Sequence, residues 1–218
     1  VPENYNKAIV DLTGIGEDGV ERVVWSSTIV ETADELNSAV VNGGYVILAN
    51  DVKGVALPST VTTDATIYLN NKTLISTQTY STTISNAATL NFISGSVEFT
   101  GMEAVNASSL VPISGAAVSL DNVKLTSNGS ALFPRGDAAR VEVVNSEITA
   151  PVYAVGTNAG EVDNYNVEIY IYGSTLKTYY ADPTSGSITV FVNVPCSLTI
   201  ENSYIYGVQN AVMVRCGT

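Results

Sequence analysis

The sequence predicts an all-β fold, a right-handed parallel β-helix (solenoid) with an N-terminal capping α-helix, and two observations lead to this prediction. The first is composition: the chain has 17 Gly, 7 Pro and many Ser, Thr and Asn residues, which favour short strands and turns over helices. The second is a sequence pattern that recurs at intervals of about 20 to 30 residues, which indicates a solenoid.

Each copy of the pattern reads apolar, any, apolar, any, small polar, two variable residues, apolar. The copies are TIYLNNKTL, TLNFISGSV, AVSLDNVKL, RVEVVNSEI, EIYIYGSTL and SLTIENSYI. We expect the second apolar residues to form one internal column: Leu69, Phe92, Leu120, Val143, Ile171 and Ile200. Leucine-rich repeats share this period, but they place Asn one residue later and add a helical return segment. The segments between these copies show no helical period, which favours the β-helix.

The small polar position explains why an asparagine interrupts an apolar strand such as VEVVNSEITA. Like positions of successive coils stack about 4.8 Å apart, so this position predicts a polar column at one corner of the solenoid. Stacked amides can hydrogen-bond along such a column, and Asn, Gly and Ser tolerate the backbone angles of a turn. We therefore interpret the column as a structural ladder, formed by Asn71, Ser94, Asn122, Asn145, Gly173 and Asn202.

Across roughly residues 44 to 218 the repeat resembles the pectin-lyase-like family of single-stranded right-handed parallel β-helices. Upstream, TADELNSAVVNGGYVILANDV is similar to the helix and first strand that cap many of these proteins. Thr32 and Glu35 predict a capping box at the start of a helix over 32–42, which Gly43 ends. The expected organisation is an N-terminal cap over residues 1–43 and one continuous β-helix over residues 44–218.

Charge and composition exclude several classes of function. The chain has 21 acidic and 9 basic residues, so its net charge of −12 disfavours nucleic acid and anionic membranes as partners. No apolar run is long enough for a membrane-spanning helix. The chain has no histidine, which excludes Ser-His-Asp catalysis and His-liganded metals, and we expect neither a cofactor nor a metal.

The resemblance implies an enzymatic alternative, because many members of the family act on acidic polysaccharides. Polygalacturonases of this family need a Gly-His-Gly motif that the chain lacks, and lyases use calcium held by clustered carboxylates. Asp121 and Glu142 are the two acids expected on outward positions of neighbouring coils of one face. Their backbones are expected about 8 Å apart, a separation at which two carboxylates can flank a glycosidic bond. Lys124 and Glu147 are expected to form a surface ion pair of little energetic weight.

The ligand-binding residues predicted from the sequence are tyrosines. Outward positions of the last two recognisable coils carry Tyr170, Tyr172, Tyr204 and Tyr206, and Tyr179 and Tyr180 lie close by on a connecting segment. Exposed rings stack on sugar faces or anchor protein partners, although tyrosine is also favoured on solvated strands.

Three further motifs are interpreted without a binding role or left open. The tripeptide RGD at 135–137 and the segment GEVDNYN at 160–166 are interpreted as turn or loop sequence rather than as integrin or calcium motifs. Cys196 and Cys216 are separated by about one coil, so they form either a disulfide between adjacent coils or two buried thiols.

These observations favour a non-catalytic, adhesin-like β-helix module that binds glycan or protein at the cell surface, in an extracellular and bacterial setting. A polysaccharide lyase or glycoside hydrolase of the same fold is the second hypothesis, and a structural spacer or part of a longer fibre is the third. The apolar segment NAVMVRCGT also predicts end-to-end self-association through the C-terminal coil, or a natural chain that continues.

Overall fold

The computed structural model describes residues 9–10, 25–102, 107–157, 166–180 and 186–215, and it describes side chains from residue 27 onward in these ranges. They form a parallel β-solenoid of about six turns. The predicted fold class, an all-β parallel β-helix with an α-helix near the N-terminus, is confirmed. Each coil contributes three short strands, which build three walls that we call faces A, B and C.

Face A contains the first strand of each coil, and all its neighbouring strands are parallel. Its strands are β3 (Gly44–Leu48), β6 (Ala65–Tyr68), the first half of β9 (Thr89–Phe99), the first half of β11 (Ala117–Ser127), β13 (Arg140–Val144), β16 (Val167–Tyr172) and β19 (Cys196–Glu201). Before β3, the strand β2 (Trp25–Val30) pairs with it in parallel, and β1 (Ile9–Val10) is antiparallel to β2.

Face B follows after one corner, and face C closes each coil. Face B contains β4 (Val52–Val55), β7 (Thr73–Ser76), the second halves of β9 and β11, β14 (Glu147–Ala150), β17 (Thr175–Thr178) and β20 (Tyr204–Tyr206). Face C is a seven-stranded parallel sheet. Its strands are β5 (Thr60–Val61), β8 (Thr82–Ile84), β10 (Ser108–Pro112), β12 (Ser130–Leu132), β15 (Val155–Gly156), β18 (Ile188–Val192) and β21 (Asn210–Val214).

Helix α1 spans Ala33–Asn42 and packs against β2, β3 and β4. The Glu35 N–H donates to Thr32 Oγ1 at 3.3 Å, and the Thr32 N–H donates to the Glu35 carboxylate at 3.2 Å, so the predicted capping box is confirmed. The buried residues of helix α1 include Leu36 and Val40. The helix ends at Gly43, whose φ is 75° and whose Cβ, if present, would lie 2.5 Å from Thr63 Cγ2. Only glycine fits this exit.

The strand register of face A places one apolar column along the solenoid interior. Its members are Val46, Ile67, Phe92, Leu120, Val143, Ile171 and Ile200. Phe92, Leu120, Val143 and Ile171 are fully buried, and Ile200 in the last described coil is partly buried against the same core. Charge introduced into this column would therefore have no water and no partner.

The expectation that Leu69 belongs to this column is wrong, because Phe92 pairs with Ile67 two residues earlier. Asn70 and Asn71 both take positive φ, which makes the corner of this coil longer than that of the next coil. Leu69 is still fully buried, and its Cβ lies 2.5 Å from where a Cβ on Gly95 would be. Gly95 therefore leaves room for Leu69 beneath the corner.

Candidate functional site

The residues of the predicted polar column all lie at the corner between faces A and B. Its residues take left-handed backbone angles, with φ of 58° at Asn71, 53° at Ser94, 54° at Asn122, 47° at Asn145, 59° at Gly173 and 49° at Asn202. This conformation turns the chain from one face to the next and is available mainly to Gly and Asn. The column therefore makes the corner in six successive coils.

We call these six corner residues the asparagine column. Its asparagine side chains point outward and do not bond to one another. Asn71, Asn122, Asn145 and Asn202 are all exposed. Asn122 Nδ2 donates a long bond of 3.4 Å to Ser94 Oγ, and the described residues contain no amide-to-amide hydrogen bond along the column. The Asn145 Oδ1 atom lies 2.6 Å from the place where a Cβ on Gly173 would be, so this amide covers the next coil's glycine.

The polar ladder inside the corner is made of serines that follow the column residues. The N–H groups of Val123, Ser146 and Ser174 donate at 3.0 Å to the hydroxyls of Ser146, Ser174 and Ser203, each one coil later. Each of these hydroxyls donates at 2.7 Å to the carbonyl two residues before it in its own coil. We call Ser146, Ser174 and Ser203 the serine ladder.

The serine ladder was not predicted from the sequence, although its signal is present there. In the last three copies of the pattern, Ser directly follows the polar residue, as NSE, GST and NSY. We treated this position as variable because Lys72, Gly95 and Val123 occupy it in the earlier copies. Ser146 and Ser174 are buried, so their hydroxyls satisfy N–H groups that the turn removes from the regular ladder.

An open groove of about 380 Å³ follows the outer side of this corner across successive coils. Side chains that line it belong to both the asparagine column and face B: Asn71, Ser96, Asn122, Lys124, Asn145 and Glu147. We call it the corner groove. Its lining holds one lysine and one glutamate beside amides and a hydroxyl, so it is polar without a net charge.

The four predicted tyrosines lie on two faces that meet at the same corner. Tyr170 and Tyr172 lie on face A, with nearly parallel rings at an interplanar angle of 4° and centroids 6.4 Å apart. Tyr204 and Tyr206 lie on face B in the following coil, 59% and 49% exposed. Tyr172 directly precedes the corner residue Gly173, and Tyr204 follows the corner residue Asn202 by two positions. The four tyrosines therefore lie on both sides of the corner.

The alternative catalytic residues, Asp121 and Glu142, lie on neighbouring strands of face A and are offset by two residues in register. Ser119 is the register partner of Glu142, and Asp121 is that of Val144. The Glu142 carboxylate accepts a hydrogen bond from Arg140 Nη2 at 3.0 Å. Among the described residues, no hydrogen bond joins Asp121 to Glu142 or to another acid.

The expected ion pair between Lys124 and Glu147 does not form, although the two residues are register partners. The Glu147 carboxylate binds Lys177 Nζ of the next coil instead, at 3.4 Å. Both side chains of this pair are exposed, so the pair adds little to stability. Lys124 is left on the rim of the corner groove.

The RGD tripeptide packs against the solenoid. The Arg135 guanidinium lies 5.0 Å from the centroid of the Phe133 ring, and Asp137 Oδ1 accepts a bond from the Asn166 N–H at 3.2 Å. Gly136 has φ of 83°, and a Cβ there would lie 2.6 Å from Ser114 Oγ. Each of the three residues therefore makes contacts within the fold.

An aromatic cluster on the outer side of face C was not predicted. The rings of Tyr153 and Phe191 stack with centroids 5.5 Å apart, Phe133 packs on the other side, and Arg215 lies over Phe191. Gly156 leaves room for it, because a Cβ there would meet Tyr153 and Phe133 within 3.2 Å. Burial raises the pKa of Tyr153, and the Arg215 charge opposes this shift.

Several predicted features lie partly outside the described residues. Cys196 is buried, but Cys216 is not described, so the disulfide stays a prediction. Most of the 160–166 segment is likewise not described. In the last described coil, Leu198, Ile200 and Ile205 are only partly buried, and end-to-end association through that coil stays a prediction.

Among the described residues, no group of three or more Cys, Asp or Glu side chains is arranged to hold a metal ion. In the same residues, no helix has the length and apolar character needed to cross a membrane.

Comparisons with known proteins give no relative. No protein-family model matches the chain, and searches of curated proteins and of solved structures find no significant match.

Proposed function

We propose that this protein is a non-catalytic, extracytoplasmic module of the pectin-lyase-like type that binds glycans at a bacterial cell surface. The observation that carries the proposal is the group of tyrosines astride the corner between faces A and B. We call Tyr170, Tyr172, Tyr204 and Tyr206 the tyrosine cluster. Its members come from neighbouring coils, so they offer several ring faces within reach of one ligand.

The geometry of the cluster suits sugar stacking. Tyr170 and Tyr172 are held on one strand with nearly parallel rings, and Tyr204 and Tyr206 are the most exposed of the four. A strand backbone fixes the ring positions, and tyrosine has few rotamers to lose when a ligand binds. Without a ligand these rings are in contact with water, which costs free energy in proportion to their exposed apolar area.

The charge around the cluster favours neutral or basic ligands. Glu201 is the register partner of Tyr172 and is exposed, and Glu168 is exposed on the same strand as Tyr170. The nearby Lys177 is already paired with Glu147. Together with the net charge of −12, these acids repel uronate polymers, which supports a role other than that of a pectate lyase.

The alternative of a polysaccharide-degrading enzyme has less support. The Glu142 carboxylate is already engaged in an ion pair with Arg140. The third hypothesis, a structural spacer, accounts for the exposed tyrosines only through the general preference of tyrosine for solvated strands.

A glycan array followed by calorimetry on the best neutral oligosaccharide tests the proposal. We expect the double variant Tyr172→Ala and Tyr204→Ala to lose binding by about 100-fold, since aromatic stacking contributes about 0.5 to 1.5 kcal/mol per ring beyond the buried area and two rings are removed. The melting temperature should stay within about 2 °C of wild type, because both rings are exposed.

Two control variants separate stacking from other effects. The double variant Tyr172→Phe and Tyr204→Phe keeps the rings and should bind nearly as well as wild type. Tyr68→Ala removes an outward tyrosine of face A four strands from Tyr172 and should leave binding unchanged. Normal binding by the double alanine variant, cleavage of any polysaccharide, or no glycan binding by wild type would each overturn the proposal.

A further inference from the structure

We infer that the corner groove is a second part of the same binding site and holds a linear neutral polysaccharide whose chain runs along the solenoid axis. This inference rests on the proposed glycan binding and adds a site, an orientation and a ligand class. The juxtaposition that supports it is a row of outward asparagine amides that leads along one corner to the tyrosine cluster.

The amides of the asparagine column are available to a ligand. The backbone N–H groups of Asn71 and Asn145 already donate to carbonyls of the next coil, at 2.8 and 2.9 Å. Within the described residues, the side-chain amides of these two asparagines have no hydrogen-bond partner, and both are exposed. An unpaired primary amide offers two donors and one acceptor, which suits pairs of sugar hydroxyls.

The spacing of the column indicates a repeating ligand. Successive coils are about 4.8 Å apart, so the five steps from Asn71 to Asn202 span about 24 Å along the axis. The corner groove itself covers the three steps from Asn71 to Asn145, about 14 Å, and has at least one polar side chain in each of these coils. This matches an extended polymer better than a compact small molecule. The corner groove covers the stretch of the corner from Asn71 to Glu147. Gly173 in the next coil has no side chain that would block its continuation.

The continuation of the corner ends between the tyrosines. Tyr172 flanks it on face A beside Gly173, and Tyr204 flanks it on face B beside Asn202 and Ser203. A chain lying in the corner groove would therefore reach both rings after about two further coils. Hydrogen bonds at one end and stacking at the other are complementary ways to hold a sugar polymer.

The charges along the groove favour a neutral chain. Lys124 and Glu147 both line it, so neither a polyanion nor a polycation gains a uniform field. Asp121 directly precedes Asn122 and is exposed, which adds repulsion against uronates.

The backbone conformation of the asparagine column allows a direct test, because glycine accepts the same positive φ and has no side-chain amide. We expect Asn122→Gly with Asn145→Gly to keep the fold. Asn86→Gly is the matched control, since Asn86 also has a φ of 58° and is exposed but lies outside the groove. Asn145→Asp is a second variant, which keeps the side-chain shape and removes the two donors.

The probes are cello-, xylo- and manno-oligosaccharides of two to six residues, measured by calorimetry. We expect wild type to bind the hexamer of at least one series more tightly than its dimer. The double glycine variant should lose about tenfold in hexamer affinity and little in dimer affinity, as two hydrogen bonds to hydroxyls would require. Asn145→Asp should weaken hexamer binding too, and Asn86→Gly should not.

The outcomes separate the two proposals. Hexamer affinity that depends on Tyr172 and Tyr204 but is unchanged in both asparagine variants would overturn the groove and keep the glycan-binding function. Affinity that depends on the asparagines alone would support the groove and reject the tyrosine cluster. No binding of any series by wild type would overturn the inference whatever the glycan array shows.

Discussion

The two sides of the corner between faces A and B use neighbouring polar residues in opposite ways. Asn145 is exposed, and its side chain covers Gly173 without a hydrogen-bond partner among the described residues. Ser146 is buried, and its hydroxyl both accepts from Val123 and donates to Val144. Whether the side chain of a corner residue hydrogen-bonds within the fold or faces solvent therefore depends on the side of the wall it faces. Substituting inward and outward neighbours in pairs tests this difference.

The largest effect is expected at the apolar column inside the wall. Val143→Asp buries an unpaired carboxylate in the core and should lower the free energy of unfolding by about 4 kcal/mol or more. Val144→Asp is its outward neighbour on the same strand and should change stability by less than about 1 kcal/mol. Urea unfolding followed by circular dichroism measures both. Similar stabilities for the two variants would contradict the strand register.

A smaller effect is expected at the serine ladder. Ser174→Ala leaves the buried Ser146 N–H without its acceptor, which should cost about 1 to 3 kcal/mol. Thr175→Ala changes the next residue, which points outward, and should cost less than half as much. Thermal unfolding compares them, with about 2 to 4 °C expected for each kcal/mol in a chain of this size. Equal melting temperatures would show that the ladder adds nothing to stability.

The smallest effects are expected at the asparagine column, where backbone conformation matters more than side-chain bonds. Asn145→Ala should cost about 1 kcal/mol, because alanine is disfavoured at a φ of 47°. Asn145→Gly should stay within about 0.5 kcal/mol of wild type, because glycine accepts the same angle. A glycine variant as unstable as the alanine variant would mean that the amide itself holds the corner. Both are measured in the same thermal assay.

The sequence predicted the solenoid well because its repeat is long, regular and tied to buried positions. The one error in register, at Leu69, has a simple cause. Ile67 and Leu69 are two residues apart, so a pattern of alternating apolar residues fits either of them equally. The longer corner at Asn70 and Asn71 decides between them, and its conformation follows from packing against the next coil.

The candidate site was less predictable than the fold. Strand alternation and the corner residues Gly173 and Asn202 place the four tyrosines outward on faces A and B, but the nearly parallel packing of the Tyr170 and Tyr172 rings depends on side-chain rotamers. Glu147 forms an ion pair with Lys177 and not with its register partner Lys124. Both lysines are flexible surface side chains, and sequence spacing does not determine which of them pairs. Serine follows the polar residue in the last three copies of the pattern, but its role as the acceptor for a corner N–H of the preceding coil depends on the conformation of the turn.

The serine ladder also gives the solenoid a direction. At every rung the hydroxyl belongs to the later coil and the N–H to the earlier one. Each of these three corners is therefore completed by the coil that follows it, so shortening the chain from its C-terminal side to remove a ladder serine would leave the N–H of the preceding coil without its acceptor.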